Sequence, residues 1–260
     1  MDMGLRRPST KYFPSWANYK GGNKTKVCVL SDIHSNLNAF QAVLKDMPKV
    51  DSIICAGDFV GYGAEPNEVV ELARSKEMRA VLGNHDYGAT ARDKKSSKYN
   101  LFRRFNPIAA QALLWTSEKL NKDNAKYLRG LPEQLNMTLG EKKVFVVHGS
   151  PRDPQFEYVF PDVSNQDLFQ LTRDVAADVV IFGHTHAPMI RTIQGKLVVN
   201  PGSVGQPRDR DPRASYAILD IKEEVEVIQR RVEYDIEKTA KKIKSAGLPS
   251  ELATRLFFGW

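Results

Sequence analysis

Short apolar runs alternate with stretches of helical periodicity along most of the chain. Residues 27–30 read as a buried strand. Ser35 then opens a helix that puts Leu37, Phe40, Val43, Leu44 and Met47 on one face until Pro48 stops it. Residues 52–56 and 79–82 repeat the strand pattern, separated by a helix that Pro66 starts and Val69, Val70, Leu72 and Ala73 line. Further strands are predicted at 144–147, 179–182, 197–199 and 216–221, and the alternation over 225–232 predicts an antiparallel one. Strand runs interleaved with helices define an α/β fold.

Residues 87–143 interrupt this rhythm. A polar loop holds Lys94, Lys95 and Lys98, a helix is predicted over 107–120 with Ile108, Ala112 and Trp115 along it, and a shorter helix runs to Arg129. The expectation is an insertion packed beside the core. The C-terminus, residues 233–260, is helical: Ile236, Ala240 and Ile243 share a face, Gly247 caps, and Pro249 begins a last short helix with Leu252 and Leu256.

Composition changes the picture only locally. Of 260 residues, 38 are basic and 31 acidic, a net +7. Residues 1–26 hold six basic residues against Asp2 alone, so they supply +5 and leave +2 for the rest. The charge thus describes a basic N-terminal arm over residues 1–25, with Phe13, Trp16 and Tyr19 as candidate anchors, and nucleic acid is not an expected partner. No apolar run approaches the roughly 20 residues of a membrane span, and the basic N-terminus has no apolar core of a secretory signal. Only Cys28 and Cys55 occur, each inside an apolar run, which predicts two buried thiols and a cytoplasmic location.

The chemistry lies just past the strands. Residues 27–30 are followed by Ser31-Asp32-Ile33-His34, 52–56 by Gly57-Asp58, 79–82 by Gly83-Asn84-His85-Asp86, 144–147 by His148-Gly149, and 179–182 by Gly183-His184-Thr185-His186. All five histidines of the chain stand at these strand ends, where open α/β sheets place their ligand sites. Imidazole mixed with carboxylate suits divalent metals. Seven such ligands are too many for one small ion, but suit two ions about 3.5–4 Å apart that share a carboxylate. The two-residue spacings Asp32–His34 and His184–His186 predict side chains on the same side of extended backbone.

These motifs together resemble the calcineurin-like metallophosphoesterases, whose pattern is DxH, GD, GNHD/E, H, GHxH. The stretch NPGSVGQPR, from Asn200 to Arg208, is similar to the smaller prokaryotic-type members, and the resemblance covers about residues 26–232. It implies a four-layer αββα sandwich of two mixed β-sheets flanked by helices. It also implies a metal-dependent phosphoesterase that uses an activated water, with two divalent ions drawn from Mn, Fe, Zn, Co or Ni, manganese first. One ion would take Asp32, His34, Asp58 and His186, and the other Asp58, Asn84, His148 and His184. His85 would be the catalytic proton donor to the leaving oxygen, and Asn84 and His85 would face the substrate phosphate.

One departure is informative. The protein phosphatases of the family read GDxVDRG at the second motif, and here Gly61 and Tyr62 replace that Asp and Arg. Arg208, Arg210 and Arg213 become candidate substrate-binding residues in their place. The first expectation is a phosphodiesterase acting on a small phosphate ester. The alternatives are a nucleotide or protein phosphomonoesterase, a dinucleoside polyphosphate hydrolase, and a non-catalytic scaffold of the same fold.

Overall fold

The computed structural model of the chain describes residues 24–91 and 107–260. The basic arm with Phe13, Trp16 and Tyr19, and the loop of Lys94, Lys95 and Lys98, lie outside the described residues. Two five-stranded sheets are formed among the described residues. The first holds β1 (Thr25–Leu30), β2 (Ser52–Cys55), β3 (Arg79–Ala80), β9 (Ala214–Ile221) and β10 (Val225–Val232), in the order β10-β9-β1-β2-β3. The second holds β4 (Gln134–Leu139), β5 (Lys142–Val147), β6 (Val179–Ile181), β7 (Met189–Ile193) and β8 (Lys196–Asn200), in the order β4-β5-β6-β8-β7. Each sheet has a parallel centre, β1-β2-β3 or β5-β6-β8, with antiparallel strands completing it.

Alternation along the strands makes the layers. Val27 and Val29 of β1 point between the sheets and pack with Val144, Val146, Val179 and Ile181. Cys28 and Leu30 point the other way, under α1 (Leu37–Asp46) and α2 (Pro66–Ser75), against Phe40, Val43, Val69 and Val70. On the far side, Val180 and Phe182 meet Leu168 and Leu171 of α6 (Asn165–Thr172). Helix, sheet, sheet and helix follow in order, the αββα sandwich that the motifs implied. Both cysteines are buried free thiols, and burial pushes Cys28 up to about 12.

Between β3 and β4 run α3 (Asn84–Thr90), α4 (Pro107–Lys119) and α5 (Lys122–Arg129). The segment expected to be a helical insertion therefore ends in a strand: β4 is the edge of the second sheet and pairs antiparallel with β5 from Gln134 to Leu139. Its half-buried, mixed pattern hid it. The structure also contains β7 and α6, which periodicity did not predict. The β7–β8 hairpin closes on Gln194 and Gly195, both at positive φ (50° and 78°), the geometry of a tight two-residue turn. At the C-terminus α7 (Ile236–Ser245) and α8 (Ser250–Thr254) lead into a 3-10 turn, Arg255–Phe257. Ala240, Ile243, Leu252 and Leu256 from this segment pack against Tyr62 and against Ala109 and Ala112 of α4.

Candidate metal centre

Asp32 and His34 lie in the loop leaving β1, Asp58 in the loop leaving β2, and Asn84 and His85 in the first turn of α3. His148 follows β5, and His184 and His186 follow β6. All eight are buried. Extended backbone does not bring the pairs together, contrary to the expectation from their spacing. Asp32, His34, Asp58, His184 and His186 all have positive φ, between 49° and 68°. Such left-handed conformations cost about 1–3 kcal/mol each for a non-glycine residue and concentrate at functional sites. The loops hold one another in place: Asp32 N–H donates to Gly57 O at 3.0 Å, His34 N–H to Asp58 O at 3.0 Å, and Gly205 N–H to Asp32 O at 2.9 Å. Gly83 is required here, because a side chain on it would collide with Asp58 Oδ1 and the Asp58 amide.

Each carboxylate is anchored by one oxygen and presents the other. Asp32 Oδ2 accepts Ser31 Oγ–H at 2.5 Å and the His184 amide at 3.0 Å, and Asp58 Oδ1 accepts the His85 amide at 2.8 Å. Asp32 Oδ1 and Asp58 Oδ2 are buried and accept no hydrogen bond. They face imidazoles instead. Asp32 Oδ1 is 3.2 Å from His186 Nε2, and Asp58 Oδ2 is 3.3 Å from His148 Nε2 and 3.6 Å from His34 Nε2.

The histidines are arranged the same way. His34 Nδ1 faces Val60 O at 3.0 Å, His148 Nδ1 faces Ala56 O at 2.7 Å, and His186 Nδ1 faces Gln206 O at 2.5 Å. A carbonyl only accepts, so each Nδ1 carries a proton and each Nε2 faces inward, where its lone pair can bind a cation once any second proton is displaced. His34 Nε2 and His186 Nε2 then stand 3.0 Å apart, and His148 Nε2 is 3.1 Å from His184 Nδ1 and 3.0 Å from Asn84 Oδ1. Lone pairs and orphaned carboxylate oxygens aimed at common points fit divalent cations. Asp32, His34 and His186 form one set of candidate metal ligands, and Asp58, His148 and His184 another; His34, Asp58 and His85 are also mutually close.

The field of the site follows from burial and sign. Burial opposes ionisation of Asp32, but the His186 ring beside it holds the carboxyl well below the usual carboxylate range. Burial likewise opposes charge on His148, yet the Asp58 and Asp32 carboxylates push it up to about 9. Burial and the His148 charge lower His184 to about 3, and burial and Arg208 lower His186 to about 4. His85 is held neutral by burial, with Arg208 and His34 adding to the effect.

The three candidate arginines separate. Arg208 donates from Nη2 to Tyr62 OH at 3.2 Å, and Tyr62 packs against the His34 and His85 rings, centroids 4.6 and 4.4 Å away. Arg213 instead forks onto Asp211, with Nε and Nη2 bonds of 3.0 and 2.7 Å, and is 49% exposed. Arg210 is exposed and contributes its backbone N–H to Gly259. The structure thus brings one of the three to the imidazoles.

It adds residues that the motifs did not single out. Asp86 accepts the amides of Asp58, Val60 and Gly83 and so holds the Asp58 loop; burial and the Asp58 charge push it up to about 8. Its place in Gly83-Asn84-His85-Asp86 was the available signal. Tyr158, 49% exposed, stacks on His184 with centroids 3.8 Å apart, and Phe160 stacks on Tyr158 in turn. No sequence signal marked this pair.

Two sandwiched mixed sheets with an Asp/His/Asn rim at their strand ends define a metallophosphoesterase. The calcineurin-like phosphoesterase superfamily domain matches residues 25–224, and the chain belongs to that family. It is 41% identical over 255 residues to an uncharacterized protein of Methanocaldococcus jannaschii, covering 91% of this chain and 99% of that one. Among solved structures it is similar to a metallophosphoesterase from Sphaerobacter thermophilus (36% identity, TM-score 0.76, 92% of this chain and all of that one). It is also similar to a hypothetical protein from Pyrococcus horikoshii OT3 (27% identity, TM-score 0.81, 90% and 98% covered). Family membership supports metal-dependent hydrolysis of phosphoesters. No helix among the described residues is long and apolar enough to cross a membrane.

Proposed function

We propose that this chain is a cytoplasmic phosphodiesterase that hydrolyses small phosphate esters, nucleotides among them, at a centre of two divalent ions, manganese first. The observation that carries the reading is Asp58 Oδ2, buried, accepting no hydrogen bond, and set between His34 Nε2 and His148 Nε2. Asp32, His34, Asp58 and His186 would hold one ion, and Asp58, Asn84, His148 and His184 the other. Such ions supply electrophilic charge and lower the pKa of water to near neutrality.

The remaining work falls to the protein. His85 is fixed by its amide on Asp58 Oδ1 and by its ring against Tyr62. It gives the leaving oxygen its proton. Arg208 and burial keep it neutral in the free protein. A phosphate anion beside it offsets the Arg208 charge and favours its protonation. The diester preference rests on an aromatic wall. Tyr158, half exposed, covers the His184 side with Phe160 stacked on it, so an organic group has an apolar surface beside the phosphorus there. Tyr62 also stands where the protein phosphatases carry arginine, and this weakens the claim of a dianionic monoester.

The test is a comparison of bis(p-nitrophenyl) phosphate with p-nitrophenyl phosphate, each with Mn, Fe, Zn, Co and Ni. Higher kcat/KM on the diester supports the reading. The reverse order makes the chain a monoesterase, and no turnover of either with any metal favours the scaffold.

A further inference from the structure

Two guanidinium groups meet beside the centre without a counter-charge. Arg208 comes from the segment after β8, and Arg255 opens the 3-10 turn of the C-terminal segment, beyond the 25–224 match to the family. Arg208 Nη2 and Arg255 Nη1 donate to the same oxygen, Gln206 Oε1, at 3.1 and 3.3 Å. Their guanidinium carbons lie 5.6 and 6.0 Å from the centre of the same Tyr62 ring. Arg255 Nε is buried and makes no hydrogen bond. Among the described residues neither guanidinium is in an ion pair; the carboxylates that act on them, Asp32 on Arg208 and Glu251 on Arg255, do so without contact.

Like charges sharing one amide oxygen in a half-buried place are electrostatically incomplete. Burial and the Arg208 charge pull Arg255 below the usual arginine range, while Tyr62 and Tyr158 outweigh burial at Arg208 and hold it above, so the unmet charge sits on Arg255. Two planar forks of N–H donors match phosphoryl oxygens, which accept from both at once. The pair is tied to the centre through Gln206 and Tyr62. The Gln206 carbonyl accepts His186 Nδ1–H, and the Tyr62 ring that both guanidiniums approach also packs against the rings of His34 and His85.

We propose that Arg208 and Arg255 form an anion subsite for a second phosphoryl group of the substrate, one that is not cleaved. The inference rests on the reading of the chain as a phosphate-ester hydrolase. It narrows the substrate class to esters carrying a further phosphate, such as nucleoside polyphosphates or bisphosphorylated esters. It also gives the C-terminal segment a part in recognition.

The experiment is calorimetric titration of the metal-loaded full chain with methylenebisphosphonate, which has two phosphoryl groups, and with methylphosphonate, which has one. Neither is hydrolysed, so binding is read apart from turnover. The wild-type chain binds the bisphosphonate more tightly. Arg255→Gln weakens the bisphosphonate about tenfold or more and leaves methylphosphonate within twofold; Arg255→Lys, which keeps charge without the fork, falls between. Thermal melts show that each variant is folded, and Arg255→Lys carries the test if Arg255→Gln is not. Equal weakening of both ligands would assign the pair to the scissile phosphate, and no weakening of either would leave it a packing feature; both overturn the proposal. Failure of the wild-type chain to hydrolyse diester or monoester dyes is a separate result and overturns the proposed function instead.

Discussion

Asp86 accepts the backbone N–H of Asp58 at 2.9 Å, and so fixes a carboxylate it never touches. Its other oxygen takes the Val60 amide at 3.1 Å, so one side chain sets the path of the loop from 58 to 60. Asp86→Ala removes the acceptor of three buried amides. We expect the affinity for the metal to fall about 10–100-fold, the range for groups that orient metal ligands. Equilibrium titration against a competing chelator measures this. Unchanged affinity would mean that the loop keeps its shape without Asp86.

Asp58→Asn replaces an oxygen facing both sets of ligands. At least one ion per chain is expected to be lost on elemental analysis, with activity falling in step. Two retained ions with full activity would refute a shared carboxylate.

His85→Ala separates proton donation from metal binding. Turnover of the diester is expected to drop about 10²–10⁴-fold, and less for a substrate with a better leaving group. Metal content stays near wild type, because the orphaned oxygens belong to Asp32 and Asp58. A metal-free variant would make His85 a ligand, as its closeness to His34 and Asp58 allows.

The pH dependence of the metal-free chain follows from His148. Its folded value, about 9, lies above the ordinary 6.5, because Asp58 and Asp32 outweigh burial. Its contribution to stability is therefore fully present below pH 6.5 and is lost as pH rises through 9. Linkage bounds the effect at about 3 kcal/mol. His184 and His186, lowered to about 3 and 4, are neutral throughout that window, while Asp86, pushed up to about 8, ionises within it and adds to the same fall. Melting curves from pH 6.5 to 9.5 are expected to fall without metal, and to fall less with metal, which displaces the His148 proton. A flat metal-free curve would show that neither His148 nor Asp86 titrates in this window.

The arginines predict a contrast. Arg208→Ala is expected to lower kcat/KM on a substrate carrying a second phosphoryl group by a factor equivalent to about 1–3 kcal/mol, the scale of a charge-assisted hydrogen bond. Arg213→Ala is expected to stay within about 0.5 kcal/mol of wild type, since its guanidinium is taken up by Asp211 at the surface. Equal losses in both would mean that Arg213 leaves Asp211 to reach substrate.

The strand cores and the rim were legible in the sequence because both are local signals. Val27–Leu30 and Val179–Phe182 are continuous apolar runs, as strands covered on both faces must be. The Asp, Asn and His that follow them are polar residues set where a parallel strand ends. Strand β4 was not legible: at the edge of its sheet it is only partly buried, so its pattern is weak. The backbone shape of the site was not legible either. A two-residue spacing suggests extended chain, while Asp32 and His34 are left-handed, held by amides given to Gly57 and Asp58 on the neighbouring loop. Such strain persists only where surrounding contacts impose it, and those contacts are tertiary. The same holds for charge. Sequence proximity grouped Arg208 with Arg210 and Arg213, but the fold sends Arg213 to Asp211 and brings Arg255, 47 positions after Arg208, onto the same Gln206 oxygen. Which donors exist is written along the chain. Which donors share an acceptor is decided by packing, because the C-terminal helices reach Tyr62 only once their apolar face is buried against it.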